Sequence, residues 1–194
     1  MTGRLTTMTN RLITMIGGLI TIDGRPARAT LGALAGLVAL GACLFPDRPG
    51  PPEIGAPARA YAATTLDGDS VSLESLRGRV VLLNLWATWC GPCRMETPYL
   101  QSLYEERRDE GFEIVGISMD TRDAAGDVAL FVDEFDLTYT ILHDPRMLGM
   151  ELYQVLGLPA TFLIDRDGVL RWMRYGPIPE DDPAFLAALE EVLS

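Results

Sequence analysis

Two cysteines stand two residues apart in the stretch Trp89-Cys90-Gly91-Pro92-Cys93, a spacing that lets one sulfur reach the other. If the first of them sits where a helix begins, unpaired amides and the positive end of the helix dipole stabilise its thiolate. Its pKa then falls below the free value of about 8.5. Cys90 becomes the nucleophile, and Cys93, one turn on, attacks the mixed disulfide and releases the reduced partner. Such a cycle needs no cofactor.

Other uses of a C-x-x-C fit poorly. Half a zinc site needs a second half, and the chain holds three cysteines and one histidine, His143, in all. Neither a four-Cys nor a two-Cys, two-His set can be built, so no metal is expected. A purely structural disulfide over so short a loop removes little chain entropy and would be a weak staple. The rest of the composition excludes more. Every one of the 16 basic residues is Arg, so Schiff-base lysine chemistry and a Walker-type phosphate loop are absent. A net charge of −11 argues against nucleic acid as a partner. With 194 residues, 48% of them hydrophobic, the chain can build a real core.

The elements that must position Cys90 and Cys93 are legible around them. Val80 to Trp86 is nearly all apolar, as a strand covered on both faces must be. A helix opening at Cys90 to Cys93 is expected to run to about Asp109, bent at Pro98 and closed by Gly111. Phe112 to Ser118 reads as a second buried strand, completing a βαβ unit. Further on come a helix over Asp123–Phe135, an extended piece at Thr138–Leu142 and an amphipathic helix over Met147–Leu156 whose methionines fill the core. Strands Thr161–Ile164 and Val169–Tyr175 flank the hairpin signal Asp165-Arg166-Asp167-Gly168, and Pro183–Leu193 closes as a helix. Upstream, the turn Leu66-Asp67-Gly68-Asp69 and a short strand from Ser70 to Leu73 predict a small N-terminal hairpin. This alternation predicts an α/β domain. Trp86 is expected in the core, Trp89 beside the active disulfide and in contact with partners, and His143 in a loop without a role.

Ahead of this domain lies export-signal architecture. Ala29 to Phe45 is a run of 17 residues without charge, preceded by Arg25 and Arg28 and containing Leu40-Gly41-Ala42-Cys43. The last four residues resemble a bacterial lipobox, in which Cys43 would be lipidated and become the mature N-terminus. An uncleaved anchor and ordinary cleavage nearby remain open, and all three place the remainder outside the cytoplasm, where disulfides persist. The proline-rich segment after it reads as an extended spacer from the membrane. The expected organisation is a signal or anchor over 1–43, a linker over 44–57 and the globular domain over 58–194.

Several motifs in order resemble the thioredoxin superfamily, and within it the TlpA/ResA-like exported thiol-disulfide oxidoreductases. Beside Trp89 to Cys93 they are Thr65-Leu66-Asp67-Gly68 ahead of Val71-Ser72-Leu73, Leu76-Arg77-Gly78, Leu83-Asn84-Leu85-Trp86-Ala87-Thr88, and Gly157-Leu158-Pro159-Ala160-Thr161-Phe162-Leu163-Ile164-Asp165. The resemblance covers about residues 54–193. It implies a thioredoxin-like fold, a central mixed sheet flanked by helices with the hairpin added at its N-terminus. It implies that Pro159 is a cis proline facing the C-x-x-C, so that Trp89, Gly91, Pro92, Leu158 and Pro159 form the surface for an extended client segment. Cytosolic thioredoxins carry a buried aspartate six residues before the first cysteine, where this chain has Asn84, so proton handling must differ. Glu96, three residues after Cys93, matches a glutamate associated in ResA-like proteins with thiol proton transfer and substrate choice. From sequence alone Glu96 is equally a solvated helix carboxylate.

The resemblance implies a membrane-tethered reductase of disulfides in extracytoplasmic proteins, apocytochrome c among them, supplied with electrons by a membrane dithiol donor. A disulfide oxidant or isomerase would use the same residues, although Gly91-Pro92 resembles the reducing motif of thioredoxin. A redox-inert peptide-binding adaptor would not need the intact cysteine pair. A peroxide-reducing P-x-x-x-T-x-x-C pattern ending at Cys93 is broken by Trp86, which stands where its proline belongs.

Overall fold

The computed structural model describes residues 50–194; the signal or anchor, Cys43 and the first part of the linker lie outside the described residues. Seven strands form one sheet in the order β2-β1-β5-β4-β3-β6-β7. They are β1 (Ala62–Thr65), β2 (Ser70–Ser72), β3 (Val80–Trp86), β4 (Phe112–Ser118), β5 (Thr140–His143), β6 (Ala160–Ile164) and β7 (Leu170–Tyr175). The α-helices are α1 (Gly91–Arg107), α2 (Ala125–Glu134), α3 (Leu148–Leu152) and α4 (Pro183–Leu193).

The sheet is mixed. Strands β3, β4 and β5 run parallel, joined by α1 and α2, whereas β6 pairs antiparallel with β3, and β7 antiparallel with β6. Every residue of β3 is buried, and its alternation divides the core. Val80, Leu82 and Trp86 face Leu100 and Leu103 of α1, Phe131 of α2 and Phe185 of α4. Val81, Leu83 and Leu85 face the other way, into a cluster with Tyr61, Tyr153 and Phe162. Asn84 belongs to the first face, which puts an amide into the apolar layer beneath α1. The added hairpin is present. Its β1 strand pairs with β2 and also antiparallel with β5, so the hairpin extends the sheet by two strands.

Four local expectations need correction. Residues 51–57, read as the end of the linker, dock on the domain: the Gly55 amide donates to the Leu170 carbonyl at 2.7 Å, the Leu170 amide to Ala56 at 2.9 Å, and Pro57 bridges Val169. Proline lacks a donor, but Gly55 and Ala56 supply the groups this pairing needs. The helix expected over Met147–Leu156 is only Leu148–Leu152, because Tyr153 is buried against Phe162 and Gln154 turns the chain at φ 50. Within it Met150 packs on the core, but Met147 is exposed. His143 ends β5, half-buried, with Nε2 at 3.0 Å from the Asp120 carbonyl oxygen.

Candidate active site at the Cys90–Cys93 disulfide

Strand β3 delivers the chain to the C-terminal end of the parallel strands, and a turn then starts α1, with the Cys90 amide donating to the Ala87 carbonyl at 3.1 Å. Cys90 is the N-cap of α1, and its sulfur accepts the Cys93 amide at 3.2 Å. This is the role Ser or Asp plays at other helix starts, and it directs an N–H at the Cys90 sulfur. Pro92 sits in the first turn, where no intrahelical amide bond is lost. Cys90 and Cys93 are joined as a disulfide, with Cα atoms 5.2 Å apart. Cys90 keeps 5% exposure against 1% for Cys93, which orders them as outer and inner sulfur.

The turn before Cys90 is held by a carboxylate that the sequence reading overlooked. Asp120, just past β4 and buried, accepts the Thr88 hydroxyl at 2.7 Å, the Thr88 amide at 3.0 Å and the Ser118 hydroxyl at 2.8 Å. The parallel register of β3 and β4 sets Trp86 beside Ser118 and so brings Asp120 under Thr88. Only an inferred strand alignment could have revealed it.

One turn after Cys93 on α1 lies Glu96, 4% exposed, and its burial removes the solvated-helix reading. Asn84 Nδ2 donates to Glu96 Oε1 at 3.0 Å and to Thr161 Oγ1 at 2.9 Å, and the Ile178 amide donates to Glu96 Oε2 at 2.8 Å. Desolvation penalises the charged form and pushes the carboxyl up to about 7, against the pull of the Ile178 and Asn84 bonds and the charge of Arg174. A group with that affinity changes charge near neutral pH. Thr161 and Ile178 were not singled out from sequence, because nothing in their local pattern marks them.

The Leu158–Pro159 peptide is cis. Leu85 pairs with Ala160, which sets Pro159 at the end of β3 from which the cysteine turn departs. Pro159 is buried and Leu158 half-buried, whereas Trp89, at 71%, and Leu156, at 99%, are exposed. Gly91 and Pro92 are exposed as well. Trp86 is in the core as expected, stacked on Phe131 with centroids 4.4 Å apart. Among the described residues no group of three or more His, Cys, Asp or Glu could hold a metal, and no helix is long and apolar enough to cross a membrane.

A dithiol at a helix start, on a mixed sheet with a cis proline at the adjoining strand, defines the thioredoxin-like class. The family model described as AhpC/TSA matches residues 54–173, and the chain belongs to that family. Among curated relatives, the thiol-disulfide oxidoreductase ResA of Oceanobacillus iheyensis is 39% identical over 116 residues, 60% of this chain and 59% of that protein. ResA of Geobacillus kaustophilus is 34% identical over 129 residues, 66% of this chain and 73% of the relative. Thus the chain spans under two thirds of the former and more of the latter. The fold is similar to that of a Chlorobium tepidum protein described as a thiol:disulfide interchange protein DsbE, with TM-score 0.68 and 31% identity over 74% of this chain and 99% of that one. It is also similar to a secreted Mycobacterium tuberculosis disulfide oxidoreductase, with TM-score 0.57 and 27% identity over 66% and 95% of the two chains.

Proposed function

We propose that the chain is an extracytoplasmic, membrane-tethered thiol-disulfide oxidoreductase that reduces disulfides in other proteins. The observation that carries this reading is Cys90 at the start of α1, the outer member of the disulfide, with its sulfur on the Cys93 amide. In the reduced protein the Cys90 thiolate attacks one sulfur of a client disulfide and the other leaves as thiolate. Cys93 then attacks Cys90, releases the second client sulfur and closes the Cys90–Cys93 bond. Two electrons pass to the client, and the two protons given up by the dithiol balance those the client thiolates take up. Glu96 is the proton acceptor for the dithiol, a role that suits a buried carboxyl pushed up to about 7. Trp89, Gly91, Pro92, Leu158 and Pro159 form the surface on which an extended client segment lies.

The leader and spacer support export and tethering, with Cys43 as the lipidated anchor. The secreted relative supports the same compartment. Gly91-Pro92 supports the reducing direction, which requires a membrane dithiol donor to restore the pair, and the ResA-like resemblance supports apocytochrome c as a client. Peroxide reduction is not proposed, because Trp86 stands where the proline of that pattern belongs. Trapping tests the reading: Cys93→Ser should accumulate mixed disulfides with envelope proteins through Cys90, and the Cys90→Ser, Cys93→Ser double variant none. Equal trapping by both would overturn it.

A further inference from the structure

The stretch Gly176–Asp182, between β7 and α4, forms a strap over Glu96. Gly176, at φ 101, donates its amide to the Pro159 carbonyl at 2.8 Å, and the buried Ile178 gives its amide to Glu96. At the far end Asp182 caps α4, its Oδ1 accepting the Ala184 amide at 2.9 Å and the Phe185 amide at 3.0 Å. Arg174 grips the strap on both sides of Ile178. Its Nε donates to the Pro177 carbonyl at 2.8 Å and its Nη1 to Asp182 Oδ2 at 2.6 Å.

The groups around Glu96 come from several elements. Asn84 comes from β3 and is itself tied to Thr161 of β6, the Ile178 amide comes from the strap, and Tyr139, a buried phenol that also feels the carboxylate, comes from just ahead of β5, while Cys93 lies one turn earlier on α1. Arg174 of β7, paired with Asp182, is the cation that acts on Glu96. A carboxylate stripped of water responds strongly to one nearby cation and to each amide it accepts.

We propose that Arg174 is a positioning residue for Glu96: by gripping the strap it keeps the Ile178 amide on the carboxylate and places a positive charge beside it. The inference rests on the reading of Glu96 as proton acceptor. Its consequence is that the pH at which the dithiol gives up its proton is set from β7, a strand that contributes nothing to the cysteine turn.

The test is a carbon-13 carboxyl titration of Glu96 in the oxidised full chain, the signal being assigned by its loss in Glu96→Gln. The midpoint should rise by about half a unit or more in Arg174→Gln and recover in part in Arg174→Lys, which restores the charge but not the fork. An unchanged midpoint overturns the proposal. Arg174→Lys also serves as the second variant should Arg174→Gln fail to fold: with the charge kept and the two-sided grip lost, its midpoint should still stand above wild type, and no movement again overturns the proposal. Alkylation of Cys90 against pH separates the two layers. Arg174→Gln should shift that profile in the wild-type background and not in Glu96→Gln. An equal shift in both backgrounds overturns the positioning role. A profile unmoved by Glu96→Gln itself, with the carboxyl midpoint still responding to Arg174, overturns the proton-acceptor reading instead.

Discussion

The amide of Asn84 on β3 holds Glu96 of α1 and Thr161 of β6 together, at 3.0 and 2.9 Å, one helical turn from Cys93. An amide cannot ionise, so Asn84 fixes a carboxylate without adding a second charge to the same dry space. Under the proposed proton-acceptor role, one carboxyl supplied by the helix would stand in for the strand aspartate of cytosolic thioredoxins.

Asn84→Asp restores that strand carboxyl against Glu96. Two carboxyls at hydrogen-bonding distance cannot both ionise at little cost, so they should share a proton to higher pH and titrate as a coupled pair. The pH profile of Cys90 alkylation should move upward relative to wild type. A superimposable profile would show that Asn84 plays no part in proton handling.

Glu96 makes stability depend on pH in a definite direction. Its carboxyl is pushed up to about 7 by burial, from an ordinary value near 4.5, so between those limits the native state holds a proton that the unfolded chain has lost. Stability of the oxidised protein should therefore fall as pH rises from about 4.5 to about 7, by roughly 3 kcal/mol at most. Urea unfolding of wild type and Glu96→Gln at pH 5 and pH 8 checks this. The variant should lack the drop, and equal slopes in the two proteins would contradict the assignment.

Asp120 should matter to the cysteine turn although it is remote in sequence. Asp120→Ala removes the acceptor of the Thr88 amide and hydroxyl and should cost about 1–3 kcal/mol in urea unfolding. Asp120→Asn, which keeps an acceptor, should cost less. Equal stability of Asp120→Ala and wild type would mean the turn is held elsewhere.

The docked strip before β1 is testable by truncation. A chain beginning at Ala58 loses the Gly55 and Ala56 pairing to Leu170 and the burial of Pro52. It should be less stable than one beginning at Asp47 by about 1–3 kcal/mol. Coincident urea transitions would return the strip to linker status.

What the sequence made legible was the part governed by local pattern. Val80–Trp86, Phe112–Ser118 and Pro183–Leu193 stand where periodicity puts them, because an unbroken apolar run or a capped amphipathic repeat admits one reading. The cysteine pair was equally plain. The short α3 was not, since its end is decided by the burial of Tyr153 on Phe162, a tertiary contact that the apolar pattern of the segment does not show. Proline count hid the docking of residues 51–57, because pairing there depends on the two residues between the prolines. Around Glu96 only the family resemblance drew attention to a buried role. Ile178 and Arg174 reach it from the strap and β7, Thr161 of β6 reaches its partner Asn84, and only the tertiary fold brings them together.

The equilibrium reduction potential of the Cys90–Cys93 couple tests the central claim most directly, titrated against a dithiol buffer with alkylation of Cys90 as readout. A reductant should have a potential near the roughly −270 mV of thioredoxin. A value near the roughly −120 mV of DsbA would make the protein an oxidant and contradict the account.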